Sequence, residues 1–350
     1  MFNNKTTIVV GAGASNEVGL PIGKDLKNDI ASILDYRYEH GIRRISGDNY
    51  VFDAINKDMN NKFVSMDINK YITACRNIRE GLPQTISIDN FLDSHQGNEE
   101  IELCGKLAIV RAILMAEKNS KLYIDFLNSR NSLNIQDLEN TWYNKLMQLL
   151  TQNCTIDQLS ERLSKIQFVI FNYDRCVEHF LYHSLQMFYN ISSAEAATIV
   201  NQIEIYHPYG AVGNLPWYNN SDQIEFGSEA TATQILNLSK RIKTFTEGSD
   251  PESSNIEKIR NSVNNSNILL FLGFAYHPQN LQIISPGEHL NVNIQRSAFG
   301  SAFKISSSDT EIIKNEMRNN FGIRPDSINI RNDLTCCNLF DEYWRSLSLS

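Results

Sequence analysis

Short apolar runs separated by longer amphipathic stretches dominate the pattern of this chain. The runs are β-branched or aromatic and are bounded by turn residues, which is typical of strands buried on both faces of a parallel sheet. Helix-like segments lie between them, so we expect an α/β, Rossmann-like parallel sheet with helices on both faces. The five predicted strands are Thr6–Val10, 167–171, Glu204–Tyr206, Ile268–Leu272 and 302–305.

The stretch between the first two predicted strands is mainly helical in pattern. Apolar residues recur at helical spacing in 101–118 and again in 138–149. A single crossover between parallel strands needs far less chain than this. We therefore expect a large inserted helical lobe at 41–150, with the sheet and its own helices formed by 1–40 and 151–350.

Two further helical pieces are predicted near the C-terminus. The first spans 310–320, with Ser308 or Asp309 as its N-cap and Gly322 just beyond its end. The second, 339–347, carries aromatic residues on one side, as expected for a segment that docks on the core. A contact between subunits is the alternative for that segment.

The first predicted strand runs directly into a turn rich in glycine and alanine. Residues 11–15 read Gly-Ala-Gly-Ala-Ser. In a parallel α/β sheet such a turn presents backbone N–H groups to an anion, usually a phosphate. The match to known phosphate loops is partial, because Asn16 replaces the third glycine of the dinucleotide fingerprint and no Gly-Lys-Ser/Thr follows. A tight strand-to-helix turn without a ligand is the alternative.

Three other segments follow predicted strands, and ligands in open α/β sheets bind outside the carboxyl ends of strands. Asn172 can hold sugar hydroxyls, and Asp174 can accept from an amide or cap the helix expected at 175–185. His207 suits general-base catalysis near neutral pH, although a lone histidine is more often structural. Gly273 would let the backbone approach a ligand closely, or would simply form a turn.

Composition narrows the class of function. The net charge of −8 disfavours a general nucleic-acid binder. No window approaches the ~20 apolar residues of a membrane span, and the N-terminus enters a predicted strand without room for a secretory signal. The six cysteines form no Cys-x-x-Cys pair, so we expect no zinc and reduced core thiols in a cytoplasmic protein.

The turn-rich stretch 213–263 predicts surface loops around one or two helices.

Taken together, these segments resemble the sirtuin family. The turn at 11–15, with Gly19-Leu20-Pro21, is similar to the sirtuin signature Gly-Ala-Gly-x-Ser-x-x-x-Gly-Ile-Pro. Asn172-Tyr173-Asp174 resembles the Asn-x-Asp of the Gln-Asn-x-Asp motif. His207 falls where sirtuins place the catalytic histidine before a glycine, with Pro208 and Tyr209 between. Gly273-Phe274-Ala275 resembles a later Gly-x-Ser segment. The resemblance covers about 1–30 and 165–305, outside the helical lobe and the tail.

The resemblance implies an NAD site. Asn172 would order the nicotinamide ribose, Asp174 would bind the carboxamide, and His207 would act on the ribose hydroxyls or on the attacking water. Cleavage of the nicotinamide–ribose bond passes through an oxocarbenium-like state, which polar groups around C1′ stabilise. The remaining implied cofactor-binding residues are Gly11, Ala12, Gly13 and Ser15 at the phosphates, Pro21 in the pocket wall, and Gly273 and Phe274 at the adenosine ribose.

The departures from the sirtuin pattern favour hydrolysis over transfer to an acyl-lysine. Sirtuin deacylases carry a Cys-x-x-Cys zinc module, which this chain lacks. Gly23 stands where their shielding phenylalanine protects the activated ribose from water. Phe171 replaces the glutamine before Asn172.

This pattern is similar to sirtuin-like effectors of bacterial anti-phage defence, which hydrolyse NAD. The resemblance implies an activity gated by oligomerisation, by a partner or by a small-molecule signal, in a homo-oligomer that a HerA-type hexameric ATPase or, less favoured, a prokaryotic Argonaute could accompany. No membrane contact and no direct nucleic-acid contact are expected. The helical lobe is the expected contact surface, because no catalytic motif lies in it. The leading hypothesis is an NAD glycohydrolase. A non-catalytic NAD or ADP-ribose sensor, or a zinc-free deacylase or ADP-ribosyltransferase, is the alternative.

Overall fold

The computed structural model of the chain describes residues 4–40, 43–61, 67–125, 128, 131–218, 221–249 and 255–349. Six of its strands form one parallel sheet, and two short ones form a separate antiparallel ribbon. The strands are β1 (Thr6–Val10), β2 (Tyr38–Glu39), β3 (Arg43–Arg44), β4 (Ile166–Ile170), β5 (Glu204–Tyr206), β6 (Ile268–Leu272), β7 (Ser297–Ser301) and β8 (Ile328–Arg331).

The order of the parallel sheet is β5-β4-β1-β6-β7-β8. Numbered along the chain within that sheet, this is 3-2-1-4-5-6, the order of the doubly wound dinucleotide-binding fold. The predicted α/β, Rossmann-like class is therefore confirmed. Val10 pairs with Ile170 on one side and Leu272 on the other, so β1, β4 and β6 end level. The order reverses between β1 and β6, which makes their carboxyl ends the expected ligand site.

Helices cover both faces of the sheet. In the described part of the chain they are α1 (Ala12–Asn16), α2 (Gly23–Ile33), α3 (Asn49–Asn61), α4 (Ile68–Gly81), α5 (Ile88–Ser94), α6 (Glu99–Lys118), α7 (Trp142–Thr151), α8 (Ile156–Leu163), α9 (Cys176–Tyr189), α10 (Ser193–Val200), α11 (Ala232–Ser239), α12 (Phe245–Ser249), α13 (Ile256–Asn264), α14 (Pro278–Ile284), α15 (Ser307–Phe321), α16 (Cys336–Glu342) and α17 (Trp344–Leu349). Short 3₁₀ turns lie at Leu82–Gln84, Ile135–Leu138, Gly287–His289 and Pro325–Ser327.

Alternate residues of the strands belong to two separate apolar clusters. Val9 and Phe271 share one cluster with α2–α6, α11 and α13–α15, whereas Ile8 and Leu270 share the other with α7–α10 and α16. Burial on both faces explains why β1, β4 and β6 read as mainly apolar runs. Each fully buried side chain of this size contributes roughly 1.5–3 kcal/mol. Residues 41–150 thus contribute helices to both faces.

Two strands were predicted wrongly or missed. The predicted strand at 302–305 is wrong, because the strand is β7 and the chain turns directly after it, with Lys304 at φ +66°. β7 reads Ser-Ala-Phe-Gly-Ser, and its small residues have weak strand propensity. β8 was missed because it is a short, half-buried edge strand. β4 begins and ends one residue before the predicted 167–171.

The C-terminal helices differ in detail from their predictions. The N-cap of α15 is Ser306, whose side chain accepts from Asp309 N–H, so the predicted caps Ser308 and Asp309 are wrong. Gly322 ends α15 in the left-handed region, as predicted. The predicted piece 339–347 is divided between α16 and α17, and its apolar side chains dock on the core as expected.

Three further expectations were the number of helices within 213–263, the state of the cysteines and the absence of a membrane-spanning segment. α11, α12 and α13 all begin within 213–263, one more helix than the upper limit expected there. All six cysteines are buried free thiols, as predicted. Within the described ranges, no helix combines the length and apolar character needed to cross a bilayer.

Candidate functional site

A cleft opens at the carboxyl ends of β1, β4 and β6, where the strand order reverses. Its empty volume is about 1190 Å³, including the part open to solvent. Residues that follow three neighbouring strands therefore meet in one place. Those that line the cleft from these strand exits are Gly11, Ala12, Phe171, Asn172, Tyr173, Asp174, Phe274 and Ala275.

The turns after β1 and β6 pack backbone against backbone. Gly13 N–H donates to Gly273 O at 3.0 Å. A Cβ atom on Gly273 would lie 2.0 Å from Ala14 N, and its φ of +54° favours glycine. Gly13 and Gly273 do not line the cleft, whereas Gly11 and Ala12 do. The close approach that Gly273 allows is thus to the neighbouring turn and not to a ligand.

One amide of the first turn is available to an anion. The Gly11, Gly13 and Ala14 N–H groups donate to main-chain carbonyls. Among the described residues, no acceptor is bonded to Ala12 N–H. Ala12 also lines the cleft, beside Pro21. A phosphate would therefore meet the Ala12 N–H in this turn.

Asn172 is held on two sides, which leaves its side-chain oxygen for a ligand. Its Nδ2 donates to Ser15 Oγ at 3.0 Å, and its main-chain O accepts from His207 Nδ1 at 3.2 Å. Ser15 is buried beneath the turn, 3.4 Å from Tyr143 OH, and does not line the cleft. No donor of the described residues is bonded to Asn172 Oδ1, so that atom can accept from a hydroxyl.

Asp174 bonds the first turn of a helix and also lines the cleft. Its Oδ1 accepts from Cys176 N–H at 3.1 Å, in the first turn of α9, although the N-cap residue is Arg175. The alternative that Asp174 is the N-cap residue is therefore wrong by one position, although its carboxylate does accept from the first helical N–H of α9. Burial raises the pKa of Asp174, and hydrogen bonds from Cys176 and Ser15 oppose this rise.

His207 lies beneath Asn172 and does not line the cleft. Its Nε2 contacts Glu178 Oε1 at 2.8 Å, while Nδ1 contacts the Asn172 carbonyl. Both ring nitrogens thus face oxygen atoms of neighbouring groups. Burial lowers the pKa of His207, but the Glu178 carboxylate and the Asn172 carbonyl outweigh it, so the pKa is raised. In this arrangement His207 positions Asn172 and has no free nitrogen with which to accept a proton.

Because the pKa of His207 is raised in the folded state, protonation favours folding. This contribution is fully present below about pH 6.5, the ordinary histidine pKa, and is lost as the pH rises through the raised value. We expect the free energy of unfolding of wild type minus that of His207→Gln to be largest in acid and to shrink at alkaline pH. Denaturant unfolding between acid and alkaline pH measures it. A difference that grows with pH would contradict the His207–Glu178 pair.

One wall of the cleft comes from residues 86–90, in the segment expected to carry no catalytic motif. Asp89 lies in the first turn of α5, and Tyr173 OH donates to its Oδ1. Burial raises the pKa of Asp89, and the bond from Tyr173 opposes this rise. On another side, Tyr209 OH donates to Asn280 Oδ1. Two tyrosines thus connect strand exits to helices around the cleft.

The charges that line the cleft are negative. Asp89 and Asp174 are its acidic residues, and its described lining contains no lysine or arginine. Burial lowers the pKa of His277, another lining residue, which favours its neutral form. Such a cleft favours positive charge that develops on a bound ligand.

The structure brings together some of the candidate residues and separates others. Those that line the cleft are Gly11, Ala12, Pro21, Asn172, Asp174 and Phe274; those beneath it are Gly13, Ser15, His207 and Gly273. Sequence reasoning missed Asp89 and Asn280. Ser87 marks the start of α5, since its Oγ accepts from Asn90 N–H at 3.1 Å, but no local signal shows where α5 docks.

The geometry therefore places a largely apolar cleft at the switch point, with the side chains of Asn172 and Asp174 held in its lining by buried neighbours. No protein-family model matches this chain, and a search of curated proteins finds no match.

Proposed function

We propose that this cleft is the active site of an NAD glycohydrolase, which cleaves the nicotinamide–ribose bond to give nicotinamide and ADP-ribose. NAD is the substrate in this proposal, and the enzyme acts in the cytoplasm. One observation carries it: Asn172 and Asp174 line the same cleft as the Gly11–Ala12 turn, at the reversal of strand order. These are the segments on which the resemblance to sirtuins rests.

The bonds around Asn172 support its proposed role at the nicotinamide ribose. Ser15 and His207 fix its amide and its main chain, so its Oδ1 needs no reorganisation to accept from a ribose hydroxyl. A preorganised acceptor of this kind stabilises a transition state more than a mobile one. Asp174 lies two residues after Asn172 and lines the same cleft, so in this proposal its carboxylate binds the carboxamide N–H groups of the leaving nicotinamide.

The charge of the cleft supports hydrolysis. Breaking the C1′–N bond leaves positive charge on the ribose, and the acidic residues of the lining favour it. Gly23 lines the cleft, and a Cβ atom there would meet no other atom within 4 Å. That side of the ribose is therefore open to water, as the replacement of a shielding phenylalanine implies.

A second candidate function is supported by the position of His207. Because both of its nitrogens contact acceptors and it lies outside the cleft lining, the site as it stands lacks the expected histidine base. A subunit that binds NAD or ADP-ribose without cleaving it would need no base. We further propose that the chain assembles with copies of itself or with a HerA-type ATPase. A gated enzyme would cleave NAD only in such an assembly, whereas a sensor would not cleave it in any state.

Product analysis with purified chain and NAD separates these functions. We expect release of nicotinamide and ADP-ribose in equal amounts, measured by chromatography across a series of protein concentrations that promotes self-assembly. NAD binding in equilibrium dialysis without any turnover would favour the sensor. Turnover that requires an acyl-lysine peptide would favour a deacylase.

A further inference from the structure

The proposed reaction needs a proton acceptor for water, and few described groups can provide one. The titratable side chains that line the cleft are Asp89, Asp174, Tyr173, Tyr209 and His277. Burial raises the pKa of both tyrosines above their ordinary value, so they hold their protons. His207 is bonded at both nitrogens and is not in the lining. The choice therefore lies between the two carboxylates and His277.

Asp174 is already engaged. Its Oδ1 accepts from the first turn of α9, and its side chain is almost completely buried. In the proposed function it also holds the leaving group, which places it on the nicotinamide and not on the water. Asp89 is partly exposed, the hydrogen bonds to its carboxylate come from Tyr173, Ser87 and its own main-chain N–H, and no ion pair with a lysine, arginine or histidine is found for it among the described side chains.

Asp89 is also connected directly to the segment that would hold the ribose. Tyr173 lies between Asn172 and Asp174 in sequence, and its hydroxyl donates a hydrogen bond to Asp89 Oδ1. Together with bonds from the Ser87 hydroxyl and from its own main-chain N–H, this bond orients the carboxylate, and since a carboxylate can accept about four hydrogen bonds, one position is left for a water. His277 follows the β6 turn, and no hydrogen bond joins it to the Asn172–Asp174 segment in the described structure.

We propose that Asp89, supplied by α5 from the helical segment 41–150, is the catalytic base that takes a proton from the attacking water. This role rests on the proposed NAD hydrolysis. The water oxygen forms a bond to C1′ as the C1′–N bond breaks, and the electron pair passes to the pyridinium nitrogen to give neutral nicotinamide. The proton moves from water to the Asp89 carboxylate and then to solvent. The products are nicotinamide, ADP-ribose and one proton.

The test measures kcat for NAD hydrolysis and, separately, the Kd for NAD. Asp89→Asn keeps the acceptor for Tyr173 and removes the base, so kcat is expected to fall about a hundredfold with little change in Kd. Asp89→Glu restores a carboxylate and is expected to recover part of kcat. Asp53→Asn removes an exposed carboxylate of the same segment on α3 and is the matched control, expected to behave as wild type. Thermal unfolding confirms that each variant is folded.

The outcomes separate this role from the function on which it rests. If Asp89→Asn hydrolyses NAD as fast as wild type, or if His277→Gln loses activity while Asp89→Asn keeps it, the assignment of Asp89 is overturned and the glycohydrolase stands. An equal loss of kcat and of NAD affinity would make Asp89 a binding or structural residue, and also overturns the assignment. A wild-type chain that never releases nicotinamide overturns both.

Discussion

Replacing Gly273 by alanine is expected to lower the free energy of unfolding by about 3 kcal/mol or more. The new Cβ atom would lie 2.0 Å from Ala14 N and 2.3 Å from the Gly13 carbonyl carbon. Both contacts are to backbone, which cannot rotate away as a side chain can. The φ of +54° adds the cost of a left-handed conformation for a residue with a side chain. The β1 and β6 turns would have to separate, and with them the two sides of the cleft.

Gly23→Ala is the matched control. A Cβ atom on Gly23 would meet nothing within 4 Å, and Gly23 is the first residue of α2. Its replacement is expected to leave stability unchanged or to raise it by about 0.4–1 kcal/mol. Denaturant unfolding followed by circular dichroism measures both variants. Equal midpoints for Gly273→Ala and wild type would show that the two turns do not pack as described.

Removal of the Arg175 side chain is expected to cost about 3–5 kcal/mol, because it leaves a buried carboxylate without its partner. Arg175 and Glu117 are 2% and 0% exposed. Arg175 Nη2 donates to Glu117 Oε2 at 2.6 Å, and Nε donates to Oε1 at 3.1 Å. Nη1 donates to the Ile224 carbonyl at 2.7 Å, and Gly227 N–H donates to Glu117 Oε2 at 3.0 Å.

This network connects the residue after Asp174 with the end of α6 and the loop at 224–227. Burial raises the pKa of Glu117, while Arg175 opposes this rise. Without Arg175 the carboxyl would take up a proton or draw water into the core. The position of Asp174 in the cleft thus depends on contacts far from it in sequence.

Lys118, the residue after Glu117, provides an exposed ion pair for comparison with Arg175→Ala. Lys118 forms an ion pair with Glu229 at 2.8 Å on the surface, with the two side chains 43% and 56% exposed. Lys118→Ala is therefore expected to change stability by less than about 1 kcal/mol. Replacing Arg175 and Glu117 together by Met and Leu is expected to cost less than the sum of the single changes. Additive losses would contradict the buried pair.

The sequence predicted those parts of the fold that depend on local pattern. The strands β1, β4 and β6 are short, mainly apolar runs with turn residues around them, and with the partly exposed β5 they form the side of the sheet that carries the cleft. β7 could not be recognised, because its small residues are required by packing: a Cβ atom on Gly300 would lie 2.3 Å from Tyr276 OH. Tyr276 follows β6, so this requirement arises from the packing of β7 against that segment and cannot be recognised from the sequence of β7 alone.

Some residues of the candidate site could be predicted from local sequence, and others could not. Residues directly after a strand, such as Asn172 and Ala12, could be assigned to the sheet edge because parallel strands end together. Whether a residue there faces the ligand or the layer below depends on side-chain direction, so His207 was expected in the cleft and lies beneath Asn172. Asp89 belongs to a helix whose docking is set by tertiary contacts, which local patterns do not encode.

Release of nicotinamide from NAD by wild type and by Asn172→Ala tests the proposed activity most directly. Both proteins are incubated with NAD at the same concentrations, and nicotinamide is quantified over time, with circular dichroism to confirm that the variant is folded. We expect steady release by wild type and none by Asn172→Ala, since the ribose loses its fixed acceptor in the cleft. Equal release by the two proteins would place the activity outside this cleft, and no release by either would contradict NAD hydrolysis.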